Sequence, residues 1–260
     1  MARSGHEVWI DADEVALLGR QPPLADGGLI EALLTVGSDL LPSRAIHRGL
    51  PSGKADVSFA FGAAEARDAG PQIYLGADDW SASTQTEPET WQGGEWPLGG
   101  MAAGALAAGE AFKSAMRRLV DRARDGGYFS ALHEPSVPCT VQLAPEDTPK
   151  ISVLPEFDFI SGDAIANAAL FALYRVPSIK GRGRVIDDDT SALSNLNRNA
   201  LLVRSALGML KVRDLARFGH GISLEPVAAR YRQGMSLADT VLVGVDDIPS
   251  RWAAQRQRPA

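Results

Sequence analysis

The sequence predicts an α/β protein, with a mainly parallel sheet and helices on both faces over residues 151–260, preceded by an α+β region over residues 1–150. Three observations predict it. Strand and helix signals alternate from Phe157 onward, which argues for parallel strands joined by helices. Acidic residues stand at the ends of apolar strands, at Asp187 and Asp246, where open parallel sheets place their ligand sites. The 260 residues are 45% hydrophobic and 22% charged, enough apolar surface for a packed core.

Taken in order, Val8-Trp9-Ile10 and the segment from Asp11 to Leu18 suggest a short strand or a capped helix, and Leu29 to Leu34 a helix. Val57 to Phe61 alternates like a half-buried strand, and Gln72 to Leu75 forms another before the turn-rich Gly76-Ala77-Asp78-Asp79. Residues 81–98, rich in Ser, Thr, Gly, Pro and Glu, read as a long surface loop. Trp80, Trp91 and Trp96 in or beside it either anchor a partner or pack the loop onto its domain. Met101 to Ala123 predicts an Ala-rich helix entered through Pro97-Leu98-Gly99-Gly100 and closed by Arg117, Arg118, Arg122 and Arg124, cations that complement its carboxyl end. Prolines at 135, 138, 145 and 149 mark an irregular connection, and strand character returns at Ile151 to Leu154, so a boundary is expected near residue 150. Beyond it the expected elements are strand Phe157–Ile160, helix Ala164–Tyr174, strand Gly183–Ile186, helix Gly208–Phe218, strand Ile222–Val227 and strand Thr240–Val245.

Charge and cysteine content narrow the function. A net charge of −6 and a pI of about 5.3 argue against nucleic acid as a partner, because each phosphate contact needs a Lys or Arg. Cys139 is the single cysteine, so neither an intrachain disulfide framework nor a multi-cysteine zinc site is expected. The polar start, Met1 to Glu7, is unlike a signal peptide, and no run approaches the ~20 apolar residues that span a bilayer. The expectation is a cytoplasmic protein without a membrane segment. His6, His47, His133 and His220 are scattered, and no Gly-x-Ser-x-Gly elbow is present.

The chemistry concentrates between Ile186 and Arg251. Asp187, Asp188 and Asp189 follow the strand ending at Ile186, where a carboxylate can accept hydrogen bonds from ribose hydroxyls or cap the next turn. Arg198 carries a planar fork of donors suited to phosphate oxygens, Asn197 adds uncharged donors, and Lys211, 13 residues on, can add a point charge. Asp246 ends an apolar strand five residues before Arg251. The ordered set Asp187-x-Asp189-x(4)-Ser194-Asn195-Leu196-Asn197-Arg198, then Gly208-x-x-Lys211, then Asp246-x(4)-Arg251, resembles the ThiF/MoeB and ubiquitin-activating-enzyme family over about residues 155–258. That resemblance implies a Rossmann-like, ThiF-type sheet. It also implies ATP and Mg²⁺ as cofactors, Asp187 on the ribose, Asn197, Arg198 and Lys211 at the phosphates, Arg198 and Lys211 as catalytic cations, and Asp246 on the metal.

Three features depart from the family pattern. Its Gly-x-Gly-x-x-Gly loop lets backbone approach the phosphates closely. The matching stretch here is Ser161-Gly162-Asp163-Ala164-Ile165-Ala166, which keeps Gly162 but puts Ser161, Asp163 and Ala166 at the glycine positions. Asp163 sets a carboxylate against phosphate oxygens of the same sign. Asp247 also stands where the family has Asn, and no cysteine follows Arg251 up to Ala260. Three functions are therefore weighed. First is a ThiF-like adenylyltransferase that activates the C-terminus of a ubiquitin-like or sulfur-carrier protein, possible as a homodimer. Second is a catalytically degenerate binding module or partner subunit of the same fold. Ranked below both is an NAD-dependent oxidoreductase.

Overall fold

The structure, a computed structural model, describes residues 3, 5–42, 46–62, 71–92, 94–120 and 136–256. In chain order its strands are β1 Val8–Ile10, β2 Ile46–Arg48, β3 Ser58–Phe61, β4 Gln72–Ala77, β5 Ser81–Gln85, β6 Cys139–Gln142, β7 Phe157–Ile160, β8 Gly181–Ile186, β9 Ile222–Val227 and β10 Thr240–Val243. The helices are α1 Leu29–Leu40, α2 Leu98–Val120, α3 Ala164–Leu173, α4 Lys211–Ala216 and α5 Ile248–Arg256. The protein is of mixed α/β class with parallel sheets, and it divides into two compact units: residues 49–150, and residues 2–48 together with 151–260.

In the unit that holds 151–260, four strands run in the order β10-β7-β8-β9, all parallel. Every residue of β7 is buried, as expected of a central parallel strand covered on both sides. Phe157, Phe159, Ile160, Val185 and Ile186 fill this core, and Gly183 lets the Phe157 ring lie against the β8 backbone. Asp158 is the polar exception. Its carboxylate accepts from Arg184 Nε at 2.8 Å and Nη2 at 2.6 Å, and from the Ala238 amide at 2.8 Å. Asp158 and Arg184 face each other in the β7–β8 register, so a buried charge is compensated on the neighbouring strand.

The N-terminal segment groups with this same unit, so that a division near residue 48 stands beside the one expected near 150. β1 and β2 pair in parallel, α1 packs beside β2, and Leu40 joins Leu196, Leu202 and Ala206 in one apolar cluster. Asp39 accepts from the Arg204 amide at 2.8 Å. Arg3 donates to the carbonyls of Leu196, Ala200 and Leu202 at 3.0, 2.7 and 3.0 Å. These contacts span more than 160 positions of sequence, a separation that a search for local boundaries does not weigh.

The other unit is a four-stranded sheet in the order β3-β4-β5-β6, parallel between β3 and β4 and antiparallel thereafter. α2 packs on β4 and β5, where its small residues Ala103 and Ala107 meet Ile73, Leu75 and Ala82. Of residues 81–98, the described ones from Thr86 to Pro97 form no helix or strand, as expected of a loop, but the first five do not belong to it. Ser81–Gln85 is an inner strand whose Ala82, Ser83 and Thr84 are buried, and Trp80 and Trp96 are buried against each other, centroids 5.7 Å apart. Polar composition concealed a strand whose backbone pairs on both sides.

Three further expectations change. Residues 11–18 form no helix; Glu14 instead accepts from the amides of Ile30 and Glu31 and so caps α1. Ile151 to Leu154 supplies one bridge, Val153 to Lys180, rather than a strand. The helix expected from Gly208 begins only at Lys211, because Leu210 is held extended in a bridge to Thr190. Arg122 and Arg124 lie outside the described residues.

Candidate functional site

The site is built at the carboxyl ends of β7 and β8. After Ile160 the chain turns sharply at Ser161, whose φ of 89° lies in the left-handed region that favours glycine. The serine thus holds a turn of the kind that favours glycine, and its Oγ accepts from the Asp163 amide at 3.2 Å. Gly162 follows, and its amide donates to Asp187 Oδ2 at 2.7 Å. A Cβ on Gly162 would meet Lys211 Cβ at 3.0 Å, so glycine is what lets α4 approach this loop.

Asp187, buried at the end of β8, holds two backbone segments at once. One oxygen takes the Gly162 amide and the other takes the Asp189 amide at 2.8 Å. Lys211, 6% exposed, opens α4 and donates to Asp189 Oδ2 at 3.1 Å, with Asp163 Oδ2 at 3.6 Å. Arg198 Nη2 reaches the same Asp163 oxygen at 3.3 Å, while its Nη1 donates to the Ser194 carbonyl. The structure therefore brings Arg198 and Lys211 together, with the Asp163 carboxylate between them, and sets Asp187 alongside.

Electrostatics follow from this grouping. Burial penalises the charged form of Asp163, but Lys211 and Arg198 outweigh it and hold the carboxyl below the usual Asp range. Burial likewise disfavours the Lys211 ammonium, and its bond to Asp189 with the charges of Asp187 and Asp163 outweighs that and holds it above the usual Lys range. Both groups are ionised around neutral pH.

Asp246 and Asn197 stand apart. Asp246 lies three residues beyond β10, exposed, and without a hydrogen-bond partner among the described residues. Arg251 turns back to donate to the Val245 carbonyl, and Asp247 accepts from the Ser250 amide at the start of α5. Asn197 is exposed, whereas its neighbours Asn195 and Asn199 are buried. Asn195 accepts from the Ala192 amide and shapes the turn. Among the described residues, Asp187, Asp188 and Asp189 bring carboxylate oxygens within 4.8 Å of one another. They offer the hard oxygen donors that Mg²⁺ takes, although Asp187 is engaged by amides and Asp189 by Lys211.

Two residues that sequence reasoning passed over hold the site. Asn167, 2% exposed, donates to the carbonyls of Gly162 and Asp163 and accepts from the Leu201 amide, tying the β7 turn to the segment after Arg198. An Asn on an otherwise apolar helix was the available signal, since Asn is a weak helix former without a local reason to be there. Arg3 pins the carbonyls that flank Arg198, and nothing in its polar surroundings marks it.

Fold and site define a parallel-sheet α/β protein with a charged cluster at its strand ends. The sequence profile of the family described as BilD N-terminal domain matches residues 1–127. A curated relative, the uncharacterized protein y4jF of Sinorhizobium fredii (strain NBRC 101917 / NGR234), is 27% identical over 239 residues, covering 88% of this chain and 45% of that protein. The chain thus spans about half the length of that relative. Among solved structures, E. coli MccB with ATP is 21% identical over 36% of this chain and 30% of its own, with a TM-score of 0.31. E. coli MccB with AMPCPP and MccA is 19% identical over 40% of this chain and 35% of its own, with a TM-score of 0.34.

Proposed function

We propose that residues 151–260 form the nucleotide-binding part of a ThiF-like adenylyltransferase, which activates the C-terminal carboxylate of a ubiquitin-like or sulfur-carrier protein with ATP and Mg²⁺. The observation that carries this reading is the meeting of Arg198 and Lys211 at one point beyond β7 and β8, beside Asp187. Two cations there suit the charge that develops on a pentacoordinate α-phosphorus as the carboxylate attacks and pyrophosphate leaves. Asp187 is the ribose acceptor and the Asp187–Asp189 turn, with Asp246, the source of metal ligands.

The test is exchange of labelled pyrophosphate into ATP, with Mg²⁺ and a small protein that ends in a free carboxylate. Labelled ATP is expected with the native chain, falling at least tenfold in Arg198→Ala and Lys211→Ala. Exchange unchanged in both variants would remove the two cations from the mechanism.

A second reading is favoured by one specific contact. Asp163 occupies both cations from within the chain, which suits a partner subunit of the same fold that binds its protein partner without turnover. Under that reading the protein binds the ubiquitin-like partner but exchanges no label, and a homodimer supplies no added activity.

A further inference from the structure

We propose that Asp163 is a built-in anion: its carboxylate occupies the phosphate position of the Arg198–Lys211 site, and its withdrawal opens that site to a soluble diphosphate-like anion. The proposal rests on the reading of these cations as phosphate ligands. It adds that one side chain decides whether such a ligand enters.

Four observations carry it. A single oxygen, Asp163 Oδ2, is shared by Arg198 Nη2 at 3.3 Å and Lys211 Nζ at 3.6 Å, so the two cations converge on a point that one anionic oxygen fills. Asp163 is the N-cap residue of α3, yet its side chain makes no capping bond. An N-cap Asp ordinarily turns its carboxylate onto the first-turn amides, and this one is turned to the cations instead, with its other oxygen buried. The backbone on either side is held independently, by Asp187 on Gly162 and by Asn167 on the carbonyls of Gly162 and Asp163, so the carboxylate can rotate away while the loop stays in place. Finally, Lys211 is almost wholly buried, and without Asp163 it keeps Asp189, which is largely exposed, and the charge of Asp187, whose oxygens are already taken by two amides. A buried ammonium that loses one counter-ion demands another, and a phosphate oxygen meets that demand better than water.

Asp163→Asn keeps the shape and removes the charge. Isothermal titration with inorganic pyrophosphate, at fixed ionic strength, is compared in the native chain, in Asp163→Asn and in Asp163→Asn/Arg198→Ala. The expected result is at least tenfold tighter binding in Asp163→Asn, lost again in the double variant. Equal or weaker binding in Asp163→Asn, with native circular dichroism, would overturn the proposal. Asp163→Ser serves the same comparison if the Asn variant does not fold. A parallel titration with Mg-ATP separates sources of the anion: a larger gain for ATP marks a nucleotide, an equal gain marks the phosphate chain alone. Because pyrophosphate binding needs no turnover, gain of binding without exchange would leave this inference standing while the adenylyltransferase reading fails, and exchange without gain would do the reverse.

Discussion

Asp163 and Lys211 show what single residues contribute here and how pH tests it. Asp163 has a folded pKa below its unfolded value of about 3.9, so its contribution to stability is complete above that value and is lost as pH falls through the folded pKa. Lys211 is raised, so its contribution is complete below about 10.4 and is lost as pH rises through its folded pKa. Thermal melts of the native chain and Asp163→Asn are therefore expected to differ at pH 7 and to converge below about pH 4. A difference that stays constant down to about pH 2 would show that the fold does not depress the Asp163 carboxyl. Arg3→Ala should destabilise its unit by about 2 kcal/mol, the scale of losing charge-assisted bonds, and should loosen the segment from Leu196 to Leu202. Chemical denaturation measures the first effect and amide exchange the second.

At the scale of elements, parallel strands were the most legible part of the sequence. Phe157–Ile160 and Ile222–Val227 announce themselves because apolar and β-branched residues cluster between turn signals. Ser81–Gln85 does not, since its place inside a sheet comes from backbone pairing with β4 and β6, which side-chain polarity does not report. The site divides the same way. Ordered spacing singled out Asp187, Arg198 and Lys211, whose positions depend on nearby strand and helix ends. Arg3 escaped because its partners are remote in sequence, and Asn167 because the Leu201 amide it binds lies 34 positions on. The β7–β8 pair offers a direct test of packing: Gly183→Ala puts a methyl 2.4 Å from the Phe157 ring, which must shift. Overpacking of this kind costs about 1–3 kcal/mol, read as a lower denaturant midpoint with the slope unchanged.

For the whole molecule, the partition into residues 49–150 and the combined segments 2–48 and 151–260 means that one unit is interrupted by the other in sequence. Removing residues 1–48 should leave Leu196, Leu202 and Ala206 without the Leu40 side of their cluster. The shortened chain is expected to bind a hydrophobic dye and melt over a broad range, whereas a sharp melt at the native temperature would show that 151–260 is self-sufficient. No helix among the described residues is long and apolar enough to cross a membrane.

Asp187 works as a single latch with two catches, one on Gly162 and one on Asp189. A ligand that turns this carboxylate releases both catches together, so an event on one side would be felt on the other without touching it. The amides of Gly162 and Asp189 should then gain or lose solvent protection in step as ligand is added, and the ratio of their exchange rates should stay constant through the titration.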